Sequence, residues 1–118
     1  MAFVPMDDRD GWIWINGDFV PWREAKTHVL THALHYGSSV FEGERMYSGR
    51  IFKLTEHTER LHRSAQLLDF EIPFSVAEID EACRRPASAW GWRTATSVQW
   101  PSGARNRSAS RPSTPGRT

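Results

Sequence analysis

The chain has 118 residues, 39% of them hydrophobic and 25% charged, which suits one modest globular domain and excludes a multidomain protein within this stretch. Its net charge of +1 conceals a split: residues 1–84 hold nine basic and fourteen acidic groups, while residues 85–118 hold six arginines and no Asp, Glu or Lys. No stretch reaches the ~18 apolar residues of a membrane span. The acidic start, Met1 to Gly11, has no apolar run of a secretory signal, and one cysteine, Cys83, rules out an internal disulfide. A cytoplasmic location is the expectation.

In chain order, Trp12-Ile13-Trp14-Ile15 reads as a strand, because aromatic and β-branched side chains suit a pleated surface. Asn16-Gly17-Asp18 is a turn, since Asn and Gly accept positive φ cheaply, and Phe19-Val20 returns as the second arm of a hairpin. Pro21 confines that arm to a strand edge or end, and residues 22–28 read as a loop. Val29 to Tyr36 fits helix or strand. Ser38 to Gly43 and Arg45 to Tyr47 read as extended, Ser48-Gly49 as a turn, and Ile51-Phe52-Lys53-Leu54 as a returning strand. Thr55 has the chemistry of an N-cap, with Leu61, Ala65 and Leu68 striping one face of the helix that follows, ended by Phe70 and Pro73. Ser75 and Glu78 form a capping box that opens a second helix with Val76, Ile79 and Cys83 inward, and Arg85-Pro86 is expected to break it.

These elements predict an α+β fold: a small antiparallel sheet with two helices packed on it, followed by an irregular basic tail. The expected organisation is an N-terminal extension at 1–11, a folded domain at 12–84 and a tail at 85–118. The tail has no Leu, Ile, Phe, Tyr or Met, so it buries too little apolar area to offset its chain entropy and is expected to be disordered.

Read residue by residue, the catalytic inventory is thin. His28 and His32 are spaced i, i+4 as metal ligands on a helix can be, but no third ligand type stands at a supporting spacing, so no metal site is expected. There is no nucleophile elbow, phosphate-binding loop or dinucleotide fingerprint. Arg60, at the edge of a helix face striped for burial, has two readings: a guanidinium fork for a phosphate or carboxylate, or a solvated side chain paired with Glu56 at i−4. Arg105, Arg107, Arg111 and Arg117, with Trp90, Trp92 and Trp100, admit weak single-stranded nucleic-acid binding, but sparse charge and no aromatic past Trp100 weigh against it.

The segment His32-Ala33-Leu34-His35-Tyr36-Gly37-Ser38-Ser39-Val40-Phe41-Glu42-Gly43 resembles the opening of a class IV (fold-type IV) pyridoxal-phosphate-dependent aminotransferase, and in particular a branched-chain amino acid aminotransferase. Ile13 to Gly17, Arg45-Met46-Tyr47, Ile51 to Leu54 and the run His57 to Ala65 continue the likeness in order, over about residues 12–84. The resemblance implies the small N-terminal domain of such an enzyme. It implies pyridoxal 5′-phosphate as cofactor, a branched-chain amino acid and 2-oxoglutarate as substrates, and a homo-oligomer in the full-length family. It assigns Arg60 to the cofactor phosphate. Phe41 becomes a wall of the side-chain pocket, Tyr36 a residue reaching a neighbouring subunit's site, and Arg45 a group near the path of the substrate carboxylate.

No catalytic residue is expected within this stretch. The family's Schiff-base lysine lies on its large domain, and neither Lys26 nor Lys53 matches it. The chain as given is therefore expected to be inactive. Its alternative role is a non-catalytic domain that pairs with a full-length subunit. The abrupt change near Arg84 further suggests that residues 85–118 are read out of frame, which translation of the coding DNA in its other frames would test.

Overall fold

The computed structural model describes residues 3–90 and 95–99, with side chains to residue 85. Among the described residues the fold is α+β, built from three two-stranded antiparallel sheets and the helices packed on them. The expected single small sheet is thus divided into three ribbons.

The first ribbon pairs β1 (Trp12–Ile15) with β2 (Asp18–Pro21), in the register Ile13 to Val20 and Trp14 to Phe19. Its two-residue turn needs positive φ twice, and Asn16 at 52° and Gly17 at 97° supply it. One 3-10 turn, Trp22–Glu24, opens the segment expected to be a loop. Arg23 pins the N-terminal extension there, donating to Asp8 at 2.7 Å and Asp10 at 2.8 Å.

The ambiguous stretch before Gly37 resolves into a short helix α1 (His32–Tyr36), closed by Gly37 in the left-handed region at φ 65°. Next comes β3 (Ser39–Gly43), followed by the ribbon of β4 (Met46–Tyr47) and β5 (Arg50–Ile51), turned by Ser48 and Gly49 at positive φ. The strand expected over residues 51–54 ends at Ile51. Lys53 adopts a left-handed conformation at φ 56° and reverses the chain straight into α2 (Leu54–Leu67).

The helix thus starts earlier than its sequence suggests, and Thr55 is not its N-cap. Lys53 O accepts the first helical bond, from His57 N at 3.0 Å, and the Thr55 hydroxyl is spent on Asp80 instead. Leu61 and Ala65 are buried as expected, but Leu68 lies past the helix end and is exposed; the stripe runs instead through Leu54 and Thr58. Phe70 does more than end the helix, because it is buried in the core with Ile72.

The capping box at Ser75 and Glu78 forms in both directions, Ser75 N donating to Glu78 Oε2 at 2.7 Å and Glu78 N to Ser75 Oγ at 3.2 Å. It opens α3 (Val76–Trp90), whose Ile79 and Cys83 face the core and whose Val76 is half-buried. The expected break at Arg85-Pro86 does not occur. The helix runs on to Trp90, although Pro86 has no N–H to return to the preceding turn.

Beyond it, β6 (Ala95–Gln99) pairs antiparallel with β3, so regular backbone extends into the segment expected to be an irregular tail. The proposed nucleic-acid residues Trp92, Trp100, Arg105, Arg107, Arg111 and Arg117 lie outside the described residues.

The core sits where α2 and α3 cross beneath β3: Leu54, Leu61, Ala65, Phe70, Ile79 and Cys83, with Val40 and Ile51 packed against it. Arg85 stacks its guanidinium 5.1 Å from the Phe19 ring and so ties α3 to the first ribbon.

Candidate functional site

Strand β3 sorts its side chains by alternation. Val40 and Glu42 face α2 and the core, while Ser39 and Phe41 lie on the other face. A carboxylate at a core-facing position must be paired, because burying a lone charge is costly. Glu42, only 6% exposed, is paired by α2. Arg60 donates to it through two bonds, Nε to Oε1 at 2.6 Å and Nη2 to Oε2 at 2.7 Å. One turn earlier, His57 Nδ1 donates to Oε2 at 2.7 Å.

The geometry fixes the proton on His57. A carboxylate only accepts, so Nδ1 carries hydrogen and has no lone pair left for Arg60 Nη2, 3.3 Å away. These donors hold the Glu42 carboxyl at about 2, well below the ordinary range, with the Arg60 bonds the largest cause and burial opposing them. Arg60 is raised in turn by Glu42. Its alternative partner, Glu56, is instead 3.5 Å from Lys53 Nζ.

Glu44, two residues on, has the opposite setting. It is 5% exposed, its Oε2 has no hydrogen-bond partner among the described residues, and burial pushes its carboxyl up to about 7. The His57 charge opposes that rise, and those of Glu42 and Asp80 add to it.

The other expected site residues lie apart from this cluster. Phe41 is 77% exposed and Tyr36 76% exposed, so neither is packed in the core of this chain. Tyr36 stacks on His32 with ring centroids 4.5 Å apart. Arg45 is exposed on the loop between β3 and β4 and forms no ion pair among the described residues. Phe41 and Arg60 occupy opposite sides of β3, because Arg60 reaches the Glu42 face.

His28 precedes α1 and accepts from Leu30 N, and His32 Nδ1 contacts Ser38 Oγ, so the two do not share a helix face. Among the described residues no group of three or more His, Cys, Asp and Glu side chains is placed to hold a metal ion. An open hollow beside the 3-10 turn, lined by Asp8, Trp22, Arg23 and Lys26 among others, contains none of the expected site residues. No described helix is long and apolar enough to cross a membrane.

Sequence reading missed Glu42, His57 and Glu44. The available signal was an acidic residue on the core face of β3, two positions from Val40, which demands a cation from whatever packs there.

Comparison with known proteins agrees with the resemblance. The model of the amino-transferase class IV family matches residues 39–114. A probable branched-chain-amino-acid aminotransferase of Rickettsia felis is 54% identical over 82 residues, 70% of this chain and 28% of that protein. The branched-chain-amino-acid aminotransferase of Escherichia coli K12 is 49% identical over 77 residues, 62% of this chain and 25% of that protein. Among solved structures, a T.th. branched-chain amino acid aminotransferase complexed with N-(5′-phosphopyridoxyl)-L-glutamate aligns with TM-score 0.73 and 45% identity, over 81% of this chain and 35% of that one. That of Thermoproteus uzoniensis with norvaline aligns with TM-score 0.62 and 35% identity, over 72% of this chain and 31% of that one. The chain therefore spans a quarter to little more than a quarter of the curated relatives it matches. It belongs to the class IV aminotransferase family of pyridoxal-phosphate enzymes, among the homologues of branched-chain amino acid aminotransferases.

Proposed function

We propose that this chain is the small, cofactor-phosphate-binding domain of a cytoplasmic branched-chain amino acid aminotransferase, which moves an amino group from Leu, Ile or Val to 2-oxoglutarate. The observation that carries the reading is Arg60: a guanidinium anchored to a buried carboxylate, with Nη1 outside that pair and a side chain 59% exposed. A phosphate needs fixed, charged donors of this kind. The residues present thus fit the phosphate end of pyridoxal 5′-phosphate. That cofactor, when bound, supplies the electron sink for charge left at the substrate's α-carbon.

This chain's own residues bind and shape. Arg60 holds the phosphate. Phe41 offers an apolar wall to a branched side chain, Arg45 an exposed cation to the carboxylate path, and Tyr36 an aromatic ring to a neighbouring subunit. The exposure of Phe41 and Tyr36 supports this, since a wall and a reaching ring both need a surface to face.

The proton at the α-carbon must be moved by a lysine outside this set. Lys53 is exposed beside Glu56, and Lys26 lines the hollow near Trp22, on a segment without Arg60. This stretch alone is therefore inactive, and a second subunit or the remainder of a longer protein completes the site.

The test is a titration of the full chain with pyridoxal 5′-phosphate, followed by phosphorus NMR and by assay of leucine with 2-oxoglutarate. The expected result is a phosphate signal that shifts with the chain, is lost in Arg60→Ala, and is accompanied by no turnover. Equal binding by Arg60→Ala overturns the phosphate role, and turnover by this chain overturns its inactivity.

A further inference from the structure

A guanidinium has two edges that can grip an oxyanion with paired N–H bonds: the Nε–Nη2 side and the Nη1–Nη2 end. In this chain Glu42 occupies the first, through Nε and one N–H of Nη2. The second N–H of Nη2 is not taken by His57, whose Nδ1 already donates to Glu42 Oε2. That leaves the end edge, one N–H of Nη1 beside one of Nη2, while the other Nη1 N–H points back toward Cδ.

The anchor and the donor differ in setting. The Glu42 side chain is 6% exposed and that of Arg60 59% exposed, so the carboxylate is fixed within the fold while the guanidinium meets solvent. Glu42 is held from β3 and gripped by two residues of α2, three apart on one helix face.

We propose that Glu42 and His57 are positioning residues that fix the Arg60 guanidinium so that a phosphate monoester is received on its Nη1–Nη2 edge. The inference rests on the phosphate role proposed for Arg60. Two effects of Glu42 oppose each other: its charge offsets part of the attraction for an anion, and its bonds remove the rotamer freedom of a long exposed side chain before the anion arrives. Geometry decides between them, because both Glu42 oxygens face the side edge and the end edge is unobstructed by them.

The experiment titrates the full chain with inorganic phosphate and with pyridoxal 5′-phosphate, reading affinity by phosphorus NMR and the Arg60 side chain by nitrogen–proton NMR. In the unaltered chain the Arg60 Nε–H resonance stays sharp and unmoved by phosphate, while the Nη resonances respond. Glu42→Gln keeps one acceptor but loses the paired grip. It is expected to weaken phosphate binding roughly tenfold and to let Nε–H respond to the anion.

Glu42→Asp retains the charge with a shorter reach, and His57→Asn leaves the Glu42 fork in place. Smaller losses in both, measured well below the melting temperature of each variant, support positioning over a general loss of fold. Phosphate binding by Glu42→Gln that equals or exceeds that of the unaltered chain overturns the proposal while leaving the Arg60 role intact. An Arg60→Ala chain that binds as before, or an unaltered chain that binds no phosphate, overturns the Arg60 role and this inference with it.

Discussion

The hydroxyl of Thr58 donates to Asp80 Oδ1 at 2.5 Å across the contact between α2 and α3, and both residues are buried. The Leu54 carbonyl lies 3.1 Å from the same hydroxyl, but one proton serves one acceptor and the nearer carboxylate takes it. Thr55 Oγ1 donates to the other oxygen at 2.6 Å, with Arg84 Nη2 3.6 Å away. Thr58→Val keeps the shape and removes the donor, leaving a buried carboxylate oxygen short of a bond. The expected loss is about 1–3 kcal/mol, read as a lower urea midpoint with unchanged slope. Stability within about 0.5 kcal/mol of the unaltered chain would show that water replaces the hydroxyl.

The Glu42 cluster predicts how acid acts. Its carboxyl titrates at about 2 in the fold, against 4.5 ordinarily, so the folded state binds fewer protons than the unfolded one between those values. The stability it contributes is whole above pH 4.5 and disappears as pH falls toward 2. Glu42→Gln is accordingly less stable than the unaltered chain at neutral pH, and the gap closes across that window. Denaturant titrations at stepped pH measure it; a gap that stays constant with pH is the contrary result.

Glu44 carries the reverse sign. Burial holds its carboxyl at about 7, so between pH 4.5 and 7 the folded state binds more protons than the unfolded one, and stability falls as pH rises. Glu44→Gln removes that slope. Relative to the unaltered chain it gains about 1–3 kcal/mol on going from pH 5 to pH 8. Parallel stability curves for the two proteins over this range would contradict the buried setting of Glu44.

Local chemistry made much of the fold legible. Asn16-Gly17 and Ser48-Gly49 announce their turns because few residues accept positive φ, and Ser75 with Glu78 announces a helix start through reciprocal bonds within four residues. What the sequence concealed depends on distant partners. Thr55 has the side chain of a cap, yet Asp80, 25 residues on, claims its hydroxyl. Arg60 has a carboxylate one turn back in Glu56, yet the fold pairs it with Glu42 on β3. Resemblance singled out Arg60, but Glu42 and His57 emerge only once α2 is laid against β3.

The two turn glycines offer a graded test of backbone strain. Gly49 sits at φ +75°, close to the left-handed well that L-residues can enter, and a Cβ there meets nothing within 4 Å. Gly17 sits at +97°, farther from that well, and a Cβ there touches Phe74 Cε1 at 3.4 Å, an ordinary contact that adds little repulsion. The Phe74 ring is itself held edge-on by Trp14, with centroids 4.8 Å apart. Backbone strain therefore sets the order: Gly49→Ala is expected to cost about 1 kcal/mol and Gly17→Ala about 2 kcal/mol. Thermal melts of the two variants, followed by tryptophan fluorescence, compare them directly, since Trp14 lies beside the Gly17 turn. Equal losses would mean that the first hairpin relaxes its φ at little expense, and a larger loss for Gly49→Ala would reverse the ranking of strain between the two turns.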